Sequence, residues 1–181
     1  AVKFFKRMLL ERGKPAREYL STRGFEDSIL ADFHVGYAPD GWDNLATSPE
    51  MKPYTPELLH LGGLLKKREG GDGFYDTFRH RVMFPIRDES GKTIAFGGRV
   101  LPGSDNPAKY LNSPETPLFS KSRCAFGLDL ARTRIVETRT AIVVEGYTDV
   151  IMAHQYDVRN VVSVLGTALT EHHISLLKRF A

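Results

Sequence analysis

Thr140-Ala-Ile-Val-Val-Glu-Gly-Tyr-Thr-Asp-Val-Ile-Met-Ala-His154 is the stretch whose reading decides the fold. Ala141 to Val144 is a short apolar, β-prone run of the kind that fills the middle of a parallel sheet covered on both faces. Glu145 stands where that run ends, Gly146 breaks it, and Tyr147 to Gln155 can form a helix. Asn160 to Leu165 is a second β-prone run, so strand, helix and strand make one βαβ unit with parallel strands. Ligands of open α/β sheets gather beyond the carboxyl ends of the strands, which places Glu145 for chemistry rather than packing.

Downstream of this unit, Gly166 to Thr170 reads as a turn and Thr170 as the cap of a helix over Glu171 to Phe180. Two strands cannot close or cover a doubly wound sheet, so the sequence is expected to stop inside a domain. Upstream, Gly127 to Arg134 reads as a short helix, and a boundary is expected near residues 134 to 139. Before it, Arg81 to Arg87 and Lys92 to Arg99 are β-type runs around the turn Asp88-Glu-Ser-Gly91, a hairpin with Pro85 at an edge or bulge. Gly97-Gly98 leaves room for another backbone or a ligand to come close. Lys66 to Gly73 reads as a polar loop, and Pro107 to Pro117 as an extended surface segment. Residues 2–12, Pro15 to Gly24 and Glu26 to Phe33 carry helical patterns of ordinary scaffold type. The fold class expected is α/β: an α+β subdomain over residues 1–135, then the truncated start of a Rossmann-like parallel sheet over residues 136–181.

With 181 residues and 41% hydrophobic content, the chain can bury one good core or two small ones. No apolar run approaches the ~20 residues of a membrane helix, and the first residues lack a signal-peptide pattern. One cysteine, Cys124, rules out an internal disulfide, and no Cys/His spacing resembles a zinc site; both fit a reducing cytoplasm. Net charge is only +3, but residues 66–134 hold thirteen Lys/Arg against eight Asp/Glu, while the segments on either side are slightly acidic. A polyanion-facing surface and a solvated basic face both explain that surplus.

Two constellations can carry chemistry. Glu145 and Asp149 are hard oxygen donors suited to magnesium, or else a loop acid and a helix first-turn acid favoured by the dipole. The second is basic: Arg79, Arg81, Arg87, Arg99, Lys109, Lys121 and Arg123, with Asn112 in the proline-fixed segment beside Lys109. Alternate strand residues share a face, so Arg79, Arg81 and Arg87 line up if the strand starts that early. Singly, each cation reads as a surface charge; together they can grip phosphate, Arg as a fork and Lys as a point charge. Trp42, near a turn, is either a stacking platform or a core plug. The six histidines show no metal spacing, and His172 and His173 point different ways on a helix.

Arg81-Val-Met-Phe-Pro-Ile-Arg-Asp88, Ala95-Phe-Gly-Gly-Arg99, Lys109-Tyr-Leu-Asn-Ser-Pro-Glu-Thr116 and Val143-Val-Glu-Gly-Tyr-Thr-Asp-Val150 follow one another along the chain. In order and spacing they resemble the RNA-polymerase core of bacterial replicative DNA primase, the DnaG type. That resemblance implies an N-terminal subdomain packed on a Toprim domain, whose cleft joins ribonucleoside triphosphates on a single-stranded DNA template and holds an RNA–DNA hybrid. It implies that Glu145 is the Toprim metal ligand for magnesium or manganese and that Asp149 is the acid supporting the catalytic site. It implies that Arg81, Arg99, Lys109, Asn112 and Lys121 face incoming nucleotide and template, and Arg79 and Arg123 join them as nucleic-acid-binding candidates from the basic constellation. The family's zinc-binding domain and its helicase-engaging C-terminal domain are expected outside these residues, as is an Asp-x-Asp motif beyond Ala181. The chain by itself is therefore expected to polymerise nothing. A non-catalytic single-strand-binding module and another Toprim enzyme, of topoisomerase or nuclease type, are the alternatives weighed; the basic motifs ahead of the strand favour primase over the latter.

Overall fold

The computed structural model describes residues 1–104 and 107–181. Three helices open the chain, α1 (Val2–Glu11), α2 (Lys14–Thr22) and α3 (Asp27–Asp32), followed by strand β1 (Gly36–Ala38). Helix α4 (Pro56–Leu61) starts at Thr55, whose side chain accepts from Leu58 N–H at 3.3 Å. Strands β2 (Leu65–Lys67) and β3 (Phe74–Asp76) pair antiparallel, so the expected polar loop is the glycine-rich tip, residues 68–73, of a small hairpin, with Lys66 and Lys67 in its first strand.

The four-stranded antiparallel sheet has the order β1-β4-β5-β6, with β4 (Arg81–Arg87), β5 (Thr93–Val100) and β6 (Tyr110–Asn112). The β4–β5 hairpin forms as its pattern predicts. β1 stops opposite Met83, so Pro85 lies past the end of that pairing and next to the register shift at Ile86/Arg87. Register assigns the two faces. Met83, Pro85, Phe96 and Gly98 share the face toward α1, where Phe5 meets Phe96 edge-on at 5.2 Å. Val82, Phe84, Gly97, Arg99, Tyr110 and Asn112 share the other. Every residue of β4 is buried because both faces are covered.

The βαβ unit follows α5 (Leu128–Thr138): β7 (Ile142–Val144), α6 (Tyr147–Gln155) and β8 (Val161–Ser163), with β7 and β8 parallel and Ile142 opposite Val161. Helix α6 covers the residues its composition predicts. α7 (Glu171–Leu177) ends three residues earlier than expected. The strand leading to Glu145 is not buried on both faces: Ile142 is 41% exposed, and among the described residues β7 pairs only with β8. β8 is the covered strand, fully buried and bridged on its other side by Phe126 opposite Ser163. An apolar run of four is compatible with either position, which is why composition alone misplaces it.

The expected division after residue 135 falls inside α5, whose Ile135 is buried while Val136 is exposed. The main core crosses that division, joining Phe5, Phe33, Phe84 and Phe96 to Tyr147, Val150, Ile151 and Val161. A smaller core joins Leu128, Ala131 and Ile135 of α5 to Val162 and Leu177. A buried ion pair, Arg87 to Asp129 at 2.9 Å, ties β4 to α5. Among the described residues no helix is long and apolar enough to cross a membrane.

Candidate nucleic-acid and metal site

Glu145 leaves β7 with its side chain exposed and without a hydrogen bond or ion pair among the described residues. Its backbone is fixed from β8, where Ser163, fully buried, donates its hydroxyl to the Glu145 carbonyl at 2.9 Å. Gly146 N–H donates to Asp149 Oδ2 at 3.1 Å, so the second carboxylate closes the first turn of α6 and holds the Glu145 bend. Exposed carboxylate oxygens at a pinned strand end are hard donors of the kind divalent cations take. The described residues contain no group of three His, Cys, Asp or Glu side chains able to hold a metal ion by themselves.

Tyr147, immediately after this bend, is 3% exposed and plugs into the sheet. It stacks on Phe84 at 5.2 Å and meets Phe126 edge-on at 4.9 Å. What the Gly97-Gly98 pair admits is this ring: a Cβ on Gly97 would lie 2.7 Å from Tyr147 Cε2 and closer still to Cζ and the hydroxyl. Burial pushes the phenol far above its ordinary range, so it stays protonated and donates, to Asn112 Oδ1. Asn112 Nδ2 in turn donates to Leu165 O at 3.0 Å. Both ends of the Asn112 amide are thus occupied by the bends after β7 and β8, and the residue expected at nucleotide is a strap between the sheet and the Glu145 loop.

Along the same sheet face, Arg99 sits opposite Tyr110 and lies between two rings, 4.3 Å from Tyr19 and 6.0 Å from Tyr110. Tyr110 is 43% exposed and Lys109 is exposed beside it. Arg99, Tyr110, Asn112, Tyr147 and Glu145 therefore form one continuous run from basic face to acidic bend, with Lys109 next to Tyr110 in the chain.

Arg81 does not join them. It is 2% exposed and donates to the carbonyls of Ala108 at 2.8 Å and of Gly98 and Lys109 at 3.3 Å. Burial and then Arg79 push its guanidinium down. It fixes the approach of the Lys109 segment to β5 and presents no charge to solvent. The expected alignment of Arg79, Arg81 and Arg87 fails because His80, at φ 51°, breaks the strand between the first two. Arg87 is spent on Asp129.

Arg79 turns outward, its guanidinium 4.2 Å from the ring centre of Trp42 and 5.2 Å from that of Tyr75; Arg68 lies 5.9 Å from Tyr75. Trp42 is 55% exposed, not a core plug, and meets Tyr75 edge-on at 5.4 Å. Beneath them Asp76, 2% exposed, accepts from Leu45 N–H at 2.7 Å and Ala46 N–H at 3.0 Å and fixes the Trp42 loop. Burial pushes its carboxyl up to about 6, restrained by those two donors. Sequence reasoning missed Tyr19, Tyr75 and Arg68; the only signal available was aromatic and basic residues interleaved along residues 66–79. Lys121 and Arg123 occupy a third place, the 3-10 turn Lys121–Arg123, with Arg123 exposed and Lys121 half-buried.

A parallel βαβ unit with a glutamate at its first strand end, packed on an antiparallel sheet bearing arginine–aromatic contacts, is the architecture of a Toprim-type core. Residues 4–132 match the family model of the DNA primase catalytic core, N-terminal domain, and residues 139–181 match that of the Toprim domain. The chain belongs to the bacterial DnaG-type DNA primase family. It is 48% identical over 172 residues to a DNA primase of Synechocystis sp., covering 94% of this chain and 27% of that protein. The RNA polymerase domain of Mycobacterium tuberculosis primase DnaG, solved in complex with double-stranded DNA carrying a six-nucleotide overhang, is 38% identical with a TM-score of 0.92. That match covers 99% of this chain and 56% of the other. The zinc-binding and RNA polymerase domains of the Aquifex aeolicus primase are 36% identical with a TM-score of 0.88, over 99% and 43% of the two chains.

Proposed function

We propose that this chain supplies the template-facing surface and one metal-ligating carboxylate of a cytoplasmic primer-synthesising RNA polymerase. In this reading the whole protein joins ribonucleoside triphosphates on a single-stranded DNA template and holds an RNA–DNA hybrid. The observation that carries the reading is the run from Arg99 and Lys109 through Asn112 and Tyr147 to Glu145, which joins a phosphate-binding face to a strand-end carboxylate. Glu145 would hold magnesium or manganese, which when bound supplies positive charge to the reacting phosphate oxygens. Arg99 and Lys109 neutralise the triphosphate, Arg99 with its donors oriented by the flanking rings. Tyr110 offers a stacking face. Asn112 and Tyr147 hold the Glu145 bend at a fixed offset from them. The remaining acidic ligands, the zinc site and the helicase-engaging surface are assigned to parts of the protein outside these residues.

The Arg68, Tyr75, Arg79 and Trp42 ladder adds a template track, since base stacking on aromatics is sequence-tolerant and arginine tracks the backbone. The same ladder favours a second reading for the 181 residues by themselves, that of a single-strand-binding module. The test is a salt titration of single-stranded DNA affinity by fluorescence anisotropy. Joint Lys109→Gln and Arg79→Gln substitution is expected to flatten the slope of log K against log salt by about 1.4, at about 0.7 per lost phosphate contact. No measurable binding at low salt refutes both readings of the basic face. Glu145→Gln separates them: it is expected to abolish primer synthesis by the whole enzyme and leave that slope unchanged.

A further inference from the structure

The adjacent histidines of α7 have opposite fates. His172 is exposed, whereas His173 is completely buried, and among the described residues its ring nitrogens bond only to Thr170 and to the Lys121 and Cys124 carbonyls. Its Nε2 lies 3.0 Å from Lys121 O and 3.2 Å from Cys124 O, and its Nδ1 lies 3.2 Å from Thr170 N. Carbonyls only accept, so Nε2 carries the proton and Nδ1 accepts from the Thr170 N–H. The Thr170 hydroxyl accepts from His173 N–H at 3.2 Å, as a helix cap does; its oxygen also lies 3.0 Å from His173 Nδ1, but that lone pair takes the Thr170 N–H, so the hydroxyl proton goes to Ser122 O at 2.9 Å. Capping α7 needs only the threonine oxygen. The imidazole N–H and the hydroxyl proton are spent elsewhere, on three carbonyls of the segment 121–124. On the opposite side, Lys121 N–H donates to Glu115 Oε1 at 2.9 Å. Within the turn itself, Arg123 N–H donates to Ser120 O at 3.1 Å and the Ser120 and Ser122 hydroxyls meet at 3.2 Å, and neither bond involves the Lys121 or Cys124 carbonyl.

We propose that Thr170 and His173 are positioning residues for the Lys121–Arg123 turn, holding its two cations in the orientation that meets the phosphates of single-stranded nucleic acid. The proposal rests on the proposed function and extends its phosphate contacts to the Lys121–Arg123 turn, which lies apart from the Arg99 run. A pre-ordered turn avoids losing backbone and side-chain freedom at the moment of binding, so the gain appears in affinity and in the number of phosphates engaged.

The test uses the full-length protein and a thymidine oligonucleotide, with affinity measured across a salt series. Removing both charges by Lys121→Gln and Arg123→Gln is expected to lower the slope by about 1.4. His173→Ala is expected to lower it by about 1 at the same phosphate cost, and to add little on top of the double charge removal. His173→Gln, whose amide N–H reaches the Nε2 position, is expected to restore the slope. Thr170→Val, which keeps the shape and loses the donor to Ser122 O, is expected to fall between. Thermal melting identifies any variant that fails to fold, and the glutamine and valine variants then decide. A lowered slope on charge removal with an unchanged slope in His173→Ala and Thr170→Val overturns the positioning role. An unchanged slope on charge removal overturns the phosphate reading of the turn first, and the positioning role with it.

Discussion

Replacing Gly97 by alanine introduces one methyl group into the seam between the sheet and the βαβ unit. The added Cβ would sit 2.7 Å from Tyr147 Cε2 and nearer to Cζ and the hydroxyl, inside any permissible contact. The ring cannot retreat, because Phe84 stacks on it at 5.2 Å and Phe126 closes its edge at 4.9 Å. Overpacking of a closed core site costs about 1–3 kcal/mol, and the upper end applies when the neighbour is an aromatic ring held on several sides. Urea unfolding should therefore show Gly97→Ala destabilised by about 2–3 kcal/mol with an unchanged m-value. Tyr147→Ala alone should cost about 3–5 kcal/mol as a large-to-small core change. In the double variant the methyl enters the space the ring vacated, so the combined loss should fall short of the sum by about 2 kcal/mol or more. Strict additivity, or a Gly97→Ala variant within about 0.5 kcal/mol of the parent, would falsify the claim that Tyr147 occupies the space the glycine leaves.

Asp129→Asn should destabilise by about 3 kcal/mol in the same assay, because it leaves the Arg87 guanidinium buried without its charge partner; a loss below about 1 kcal/mol would contradict a closed ion pair. Asp76 titrates in the folded protein near 6 instead of its ordinary 3.8, so the native state binds the extra proton between those values and its contribution to stability falls as pH rises through that window. At about 1.36 kcal/mol per pH unit the loss is about 3 kcal/mol, and wild-type stability minus that of Asp76→Asn should decline by this amount from pH 4 to pH 7. A flat difference would show the carboxylate to be stabilised by Leu45 and Ala46 N–H as fully as by water. Trp42→Ala should weaken single-stranded DNA binding by about 1–3 kcal/mol with little change in salt slope, whereas Arg79→Gln should reduce the slope by about 0.7. Equal effects on both quantities in both variants would show that ring and guanidinium do not divide the roles of stacking and charge.

The parts of this molecule readable from sequence are those governed by neighbours in the chain. Gly146 and the run after it set α6, the Asp88 to Gly91 turn sets the β4–β5 hairpin, and Thr55 and Thr170 cap the helices that follow them. Parallel pairing of β7 with β8 follows from the helix between them. Apart from the strand break at His80 and the early end of α7, the misplacements involve partners distant in sequence. Arg81 reads as a surface cation until the Ala108 and Lys109 carbonyls, 27 and 28 residues on, fold over it. Asn112 reads as a ligand until Tyr147, 35 residues away, takes its oxygen. Gly97 correctly announces a close approach without naming what approaches. Trp42 is undecidable from composition, since exposure depends on Asp76 pulling its loop outward, and no local pattern encodes that. Burial of β8 rather than β7 is set by Phe126, which lies on the far side of α5 in sequence.

The double use of the Asn112 amide has a mechanical consequence. With one end on the Tyr147 hydroxyl and the other on Leu165 O, the bend carrying Glu145 and the strand carrying Tyr110 move as a single piece. The spacing between the cationic row and the acidic bend is thereby set by the fold itself, like the jaws of a gauge.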